Sequence, residues 1–261
     1  MEAEFKEGRY IYCIIASKQP QSFGPLGIGG RSDDLYTISF KDVAAVVSNS
    51  PIKSYSLSHE NLIAHEKAIE EVMKGHTVLP VRFCTIAADD AKIKEILEKA
   101  HDKIRGLLKA MSGKKELGLK AVFKDVIYQD IVAEHGDIRT LKEKIAVLPP
   151  AQTLTARRQI GQMVEVALNQ AREHYKGIIM DGLSPLATEV KINRNYGEMM
   201  VVSAAFLVDE KKETSFDQRV DQLGAKYVDK IKFKYVGTLP PFNFVNLVIN
   251  TQTADLTGTA S

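Results

Sequence analysis

The adjacent pair His65-Glu66 is where residue types alone first suggest chemistry in this sequence. It matches the first half of the zinc motif H-E-x-x-H, in which two histidines one helical turn apart bind metal and the glutamate serves as base. Ile69 stands where the second histidine belongs. His59, His76, His101, His135 and His174 supply no pair at metal-ligand spacing on one helix, so no metal site is expected. What remains is a trio of His65, Glu66 and Arg82, since the helix carrying the first two should pack near the strand carrying the third. Such a trio could bind a small anion or move a proton. It could equally be a structural polar cluster, a buried hydrogen-bonded ion pair that fixes the helix against a sheet.

Other candidates fail on spacing. In the loop GPLGIGGRS, Gly24 and Gly29 fit the glycines of G-x-x-x-x-G-K-[ST], but Gly30 takes the lysine position and a strand follows where a helix should begin. The loop reads instead as a mobile or tightly turned surface segment. Ser184 in GLSPL lacks the second glycine of a nucleophile elbow, and Pro185 blocks the helix that an elbow feeds. Cys84 is expected in an apolar strand with no histidine beside it in sequence, so nothing visible lowers its thiol pKa. No catalytic residue and no cofactor site is expected. A surface remains: Pro240, Pro241, Phe242, Phe244 and Val245 form a proline-stiffened aromatic stretch suited to anchoring a protein partner. The same rings would serve equally to cover the C-terminal sheet.

The elements that must position these groups are well marked. Ser58 is a good N-cap, Leu57 and Leu62 have the spacing of a hydrophobic staple, Glu60 suits the positive helix end, and Gly75 sits where a left-handed C-terminal residue belongs. Leu62, His65, Ile69, Val72 and Met73 share one face, and Val78 to Phe83 reads as the strand that follows. Before this helix come strands at 10–16, 35–40 and 43–48, the last two joined as a hairpin. After it, Asp89 or Asp90 caps one long helix with an apolar stripe from Ile93 to Met111, ended by Gly113, and Leu117 to Phe123 is a strand. Two short helical segments over 125–148, divided at Gly136 and Asp137, close at Pro149-Pro150. A helix through Ile160 to Ile179, about 35 to 40 Å long, comes next. Then follow strands at 186–192 and 199–208, a helix with a capping box at Ser215 and Gln218, and a strand at 231–236.

The expected fold class is therefore α+β (α/β) in two domains. Residues 1–124 form a mixed sheet with packed helices, and residues 125–250 a ferredoxin-like domain with a helical insertion, since strand, long helix, two strands, helix, strand is the order from Leu117 onward. Thr251 to Ser261, small and polar, is expected to be a disordered tail.

ENLIAHEKAIEEVM followed by TVLPVRF resembles the helix-to-strand signature of the gas vesicle accessory family GvpL/GvpF. YIYCIIA, the GIGG loop with DVAAVVSN after it, and GTLPPFNFV agree with it, so the resemblance spans most of the chain. In the last stretch Thr238 and Leu239 replace a proline and a tryptophan common in the family. The resemblance implies a non-enzymatic accessory or minor structural protein of the gas vesicle, the hollow proteinaceous buoyancy organelle of certain prokaryotes. It also implies contact with the main hydrophobic shell subunit, of GvpA type, and with other accessory proteins, in the cytoplasm at the vesicle. Two alternatives stand beside it: a regulatory module binding a small ligand, and an enzyme using His65, Glu66 and Arg82 on a small anionic metabolite.

Composition adds bounds. A chain of 261 residues with a formal charge of +2, its lysines interspersed with acids, gives no sign of a nucleic-acid partner. No basic n-region precedes an apolar core at the start, and no apolar run reaches the roughly 18 to 20 residues that span a bilayer, so neither secretion nor a membrane partner is expected. Cys13 and Cys84, in separate expected strands, read as reduced, small buried hydrophobes.

Overall fold

The computed structural model describes residues 5–260, and the chain divides into two compact units, one made of 1–116 with 238–261 and the other of 117–237. In the first, strands β1 (Glu7–Ala16), β2 (Ser22–Gly24), β3 (Leu35–Phe40) and β4 (Val43–Pro51) precede helix α1 (His59–Met73). Strands β5 (Val78–Pro80) and β6 (Ile86–Ala87) and helices α2 (Asp90–Lys99) and α3 (His101–Met111) follow. The sheet order is β2-β3-β4-β1-β5, with β6 also on β1. β1 is central, as its doubly apolar sequence requires. Its pairing with β4 slips between Ile11 and Cys13, and this extra residue lets Tyr12 and Cys13 enter the same core as Tyr10, Ile15 and the α1 residues Ala68, Ile69 and Val72.

Local chemistry explains α1 at one end and corrects the expectation at the other. Ser58 Oγ accepts from the Asn61 amide at 3.3 Å, as an N-cap should. Gly75 is absent from the glycines with positive φ; the helix ends instead through Lys74 in the right-handed region, with the Gly75 and His76 amides turning back to Val72 O. The expected strand to Phe83 stops at Pro80, and Cys84 lies in a turn at φ +64°, half-exposed, not in an apolar strand. The single helix expected over 93–111 is two, α2 capped by Asp89 and α3, meeting at Ala100. Their apolar positions stay in helical phase across the break, so periodicity could not reveal it.

The second unit contains strand β7 (Lys114–Phe123, from 117 on), helices α4 (Val126–Glu134), α5 (Gly136–Ala146) and α6 (Leu154–Leu183), strands β8 (Glu189–Ile192) and β9 (Met200–Asp209), helix α7 (Glu213–Lys226) and strand β10 (Ile231–Leu239, up to 237). Its sheet order is β10-β7-β9-β8, crossed by α6 and α7 in a β-α-β-β-α-β sequence compatible with the ferredoxin-like arrangement. β9 is buried from Val201 to Val208, as expected of a central strand. The Ser215 capping box does not form: α7 begins two residues earlier, and its N-cap position, Lys212, makes no side-chain cap.

Two expected boundaries move. Leu117 to Phe123, counted with residues 1–124, pairs with β9 and β10 and belongs to the second unit, because pairing partners and not chain order decide sheet membership. Residues from Thr238 onward return to the first unit. There β11 (Val245–Asn250) and β12 (Asp255–Ala260) form an antiparallel hairpin, so the stretch expected to be a disordered tail is largely strand. Asn250 Oδ1 accepts from the Gln252 and Thr253 amides to close the turn. Gly258 lies so close to Asn246 O that a Cβ there would sit 2.0 Å from it. Backbone pairing of this kind needs no apolar pattern in β12, which is why composition misread it.

Candidate functional site

α1 turns His65 inward, leaves Glu66 half-buried and exposes Leu62; β5 and the turn after it supply Pro80, Val81, Arg82 and Phe83. The C-terminal return adds Phe242 and Val245 to Leu247, tied in by a parallel bridge between Val81 and Leu247. These residues, all of the first unit, line one open groove of about 400 Å³. The expected polar cluster and the expected aromatic stretch, far apart in sequence, thus meet at one place.

His65 is 4% exposed and both ring nitrogens are engaged. Nε2–H donates to the Val81 carbonyl at 3.2 Å, which leaves Nδ1 as acceptor for the Tyr10 hydroxyl at 3.1 Å. Tyr10 Oη in turn accepts from the Cys84 amide at 2.8 Å. The imidazole stacks on Tyr12 with ring centroids 5.6 Å apart and meets the edge of Phe83 at 5.7 Å. Burial pushes its pKa down to about 4, against the pull of the Val81 carbonyl, so it is neutral at pH 7. Burial likewise raises the Tyr10 hydroxyl, and raises Tyr12 to about 12. His65 therefore braces α1 to β1 and to the end of β5. With one nitrogen donating and the other accepting, it has no lone pair left for a metal or a substrate proton.

Glu66 and Arg82 do not complete an ion pair with it. Burial, with repulsion from Glu70, raises the Glu66 carboxyl above its ordinary value, the sign opposite to that of a salt-bridged acid. Arg82 is exposed; its carbonyl accepts from Thr85 Oγ1, and no ion pair joins its guanidinium to Glu66. The trio shares a groove, but the expected buried ion pair is absent among the described residues.

The aromatic stretch divides by orientation. Pro240, Pro241, Phe244 and Val245 are buried, Phe244 to 1% exposure, whereas Phe242 is 42% exposed, its ring 6.5 Å from that of His65. The loop is held by Glu116, itself 1% exposed, whose carboxylate accepts from the Asn243 amide at 2.9 Å and from Nδ2 at 2.5 Å. The Phe244 and Val245 amides close back on the Pro241 carbonyl. Sequence reasoning did not select Glu116 or Leu62 for the site. The signal for Glu116 was a lone acid at the edge of the apolar run that opens β7; Leu62 reads in sequence as a staple partner of Leu57 and as a member of the α1 face that carries His65.

The remaining candidates fall elsewhere. The glycine-rich loop is tightly turned, with Gly24, Gly29 and Gly30 at positive φ, and anchored by the buried Ile28, whose amide donates to Tyr12 Oη at 2.8 Å. Ser184 lies in a short 3-10 turn after α6. Cys13 is buried, its thiol pKa pushed up by desolvation, and both cysteines are free. Among the described residues no group of three or more His, Cys, Asp or Glu is placed to hold a metal, and no helix is long and apolar enough to cross a membrane.

Comparison with known proteins identifies the family and the fold. The family described as "Gas vesicle synthesis protein GvpL/GvpF" matches residues 8–246. Gas vesicle protein F of Nostoc sp. is 26% identical over 245 residues, covering 92% of this chain and 98% of that protein. Gas vesicle protein L1 of Halobacterium salinarum is 21% identical over 260 residues, with 93% and 92% covered. The crystal structure of the gas vesicle protein GvpF from Anabaena sp. superposes with a TM-score of 0.76 at 25% identity, covering 90% of this chain and 97% of that one. That of GvpF from Microcystis aeruginosa gives 0.72 at 22% identity and shows the same fold.

Proposed function

We propose, since the chain belongs to the gas vesicle synthesis protein GvpL/GvpF family, that it is a non-enzymatic accessory protein that binds the main hydrophobic shell subunit and assists gas vesicle assembly. A small shell subunit with a large apolar face aggregates when free, and a folded partner with an apolar anchor can shield or position it. One observation carries the binding role: Phe242 stands 42% exposed at an apolar groove while the prolines and Phe244 around it are buried and Glu116 fixes their loop. An aromatic ring held open by a rigid loop loses little entropy on binding. The commitment of both His65 nitrogens to internal bonds supports binding over turnover.

The test is co-purification of the tagged chain with the shell subunit expressed beside it, comparing wild type with Phe242→Asp. The exposed position tolerates the charge, whereas Phe244→Asp would unfold the loop. Wild type is expected to capture the subunit and Phe242→Asp to lose most of that capture without losing its thermal transition. Absence of capture by wild type would overturn the reading.

A further inference from the structure

Resting on that reading, we propose that the groove seats an amphipathic segment of the shell subunit, which sets an apolar side chain against His65, Phe83 and Phe242 and a lysine or arginine against Glu66. The floor is apolar because His65 is neutral and turned into its own network, so it offers ring face in place of charge. Leu62, 43% exposed, and Phe242 are large apolar side chains left partly open at the same groove. Charge then selects the occupant. Glu66 is half-buried without an ion pair among the described residues, and Glu70 lies one turn further along α1. Two acids at i and i+4 repel, and a cation brought between them relieves that repulsion while losing little of its own hydration at a half-open site. Arg82, also unpaired among the described residues, lines the same groove and favours an acid elsewhere on the segment. An apolar groove carrying unpaired charges of both signs fixes the direction of a bound segment as well as its place.

Capture of the co-expressed shell subunit by the full chain tests this at low and high salt with three variants, Leu62→Asp, Glu66→Lys and Glu66→Gln, each checked for an unchanged thermal transition. Glu66→Lys is expected to weaken capture by about tenfold and Leu62→Asp by at least as much. Wild-type capture should fall with salt, and that of Glu66→Gln should be flatter, because the screened pair is gone. If wild type captures the subunit and Leu62→Asp and Glu66→Lys capture it equally well, the groove is not the seat and this inference fails while the binding role stands. If wild type captures nothing, both fail together. If the purified chain alone is a dimer that Leu62→Asp dissociates, the occupant is a second copy and the assignment to the shell subunit is overturned.

Discussion

In the first unit the core beneath α1 carries the hydroxyls of Tyr10, Tyr12 and Tyr55 and the imidazole of His65. Each is hydrogen-bonded: Tyr12 to Ser48, Tyr55 to Ser50, Tyr10 to His65 and Cys84. The second unit packs Leu119, Phe123, Leu168, Ile179, Phe206 and Phe216 together and keeps its tyrosines, Tyr175, Tyr227 and Tyr235, only partly buried at the margin of that core. The first arrangement is directional, so α1 has one satisfied position on its sheet and the Val81 to Cys84 turn is pinned where the groove needs it. The second is held by volume and area, which specify packing but place no backbone group toward a partner.

The largest effect that separates the two is loss of volume. Phe206→Ala, at a fully buried position facing Phe216, should cost about 3 to 5 kcal/mol in chemical denaturation. A loss below about 1 kcal/mol would mean that the apolar core refills readily and would erase the contrast.

Acid sharpens it next. His65 has its ordinary pKa near 6.5 when unfolded and about 4 when folded, so between these values the unfolded chain binds the extra proton. Its contribution is complete above pH 6.5 and is lost as pH falls toward 4, about 3 kcal/mol in all. Glu66, with a raised pKa, acts in the opposite sense and offsets part of this. Hydrogen exchange followed from pH 7 to pH 4 should show protection falling in β1, β5 and α1, and a His65→Gln chain should lack that dependence. Equal loss at β7 and β9 would break the comparison.

The smallest effect concerns two helix ends that look alike in sequence. Ser58→Ala should cost about 1 kcal/mol, because its hydroxyl caps α1. Ser215→Ala should stay within about 0.5 kcal/mol, because that serine lies inside α7 and caps nothing. Equal losses in urea titrations would contradict the assignment of α7's start.

Much of the fold was legible where the signal is local. The Ser58 cap, the central character of β9, the division into α4 and α5, which falls at His135 just before the expected Gly136 and Asp137, and the long α6 all follow from side-chain period and end chemistry. The break at Ala100 was not, since the apolar stripe runs through it, and neither was β12, whose partner alone makes it a strand. The site was half legible. His65, Glu66, Arg82 and Phe242 could be singled out by type, but their meeting, and the burial of Phe244, depend on a chain that leaves the first unit at Glu116 and returns at Thr238.

By itself, then, the sequence determined the periodic elements, most of their ends, the α+β class and the resemblance to a family, because these rest on interactions within a few residues or on patterns that persist through divergence. Only the tertiary structure decided that His65 is a neutral brace with no spare nitrogen, that Glu66 and Arg82 form no ion pair among the described residues, and that one aromatic ring of the C-terminal stretch faces outward. Those outcomes are set by burial and by partners 16 to 127 residues away in the chain, from Val81 for His65 to Asn243 for Glu116, and no local pattern encodes such distances.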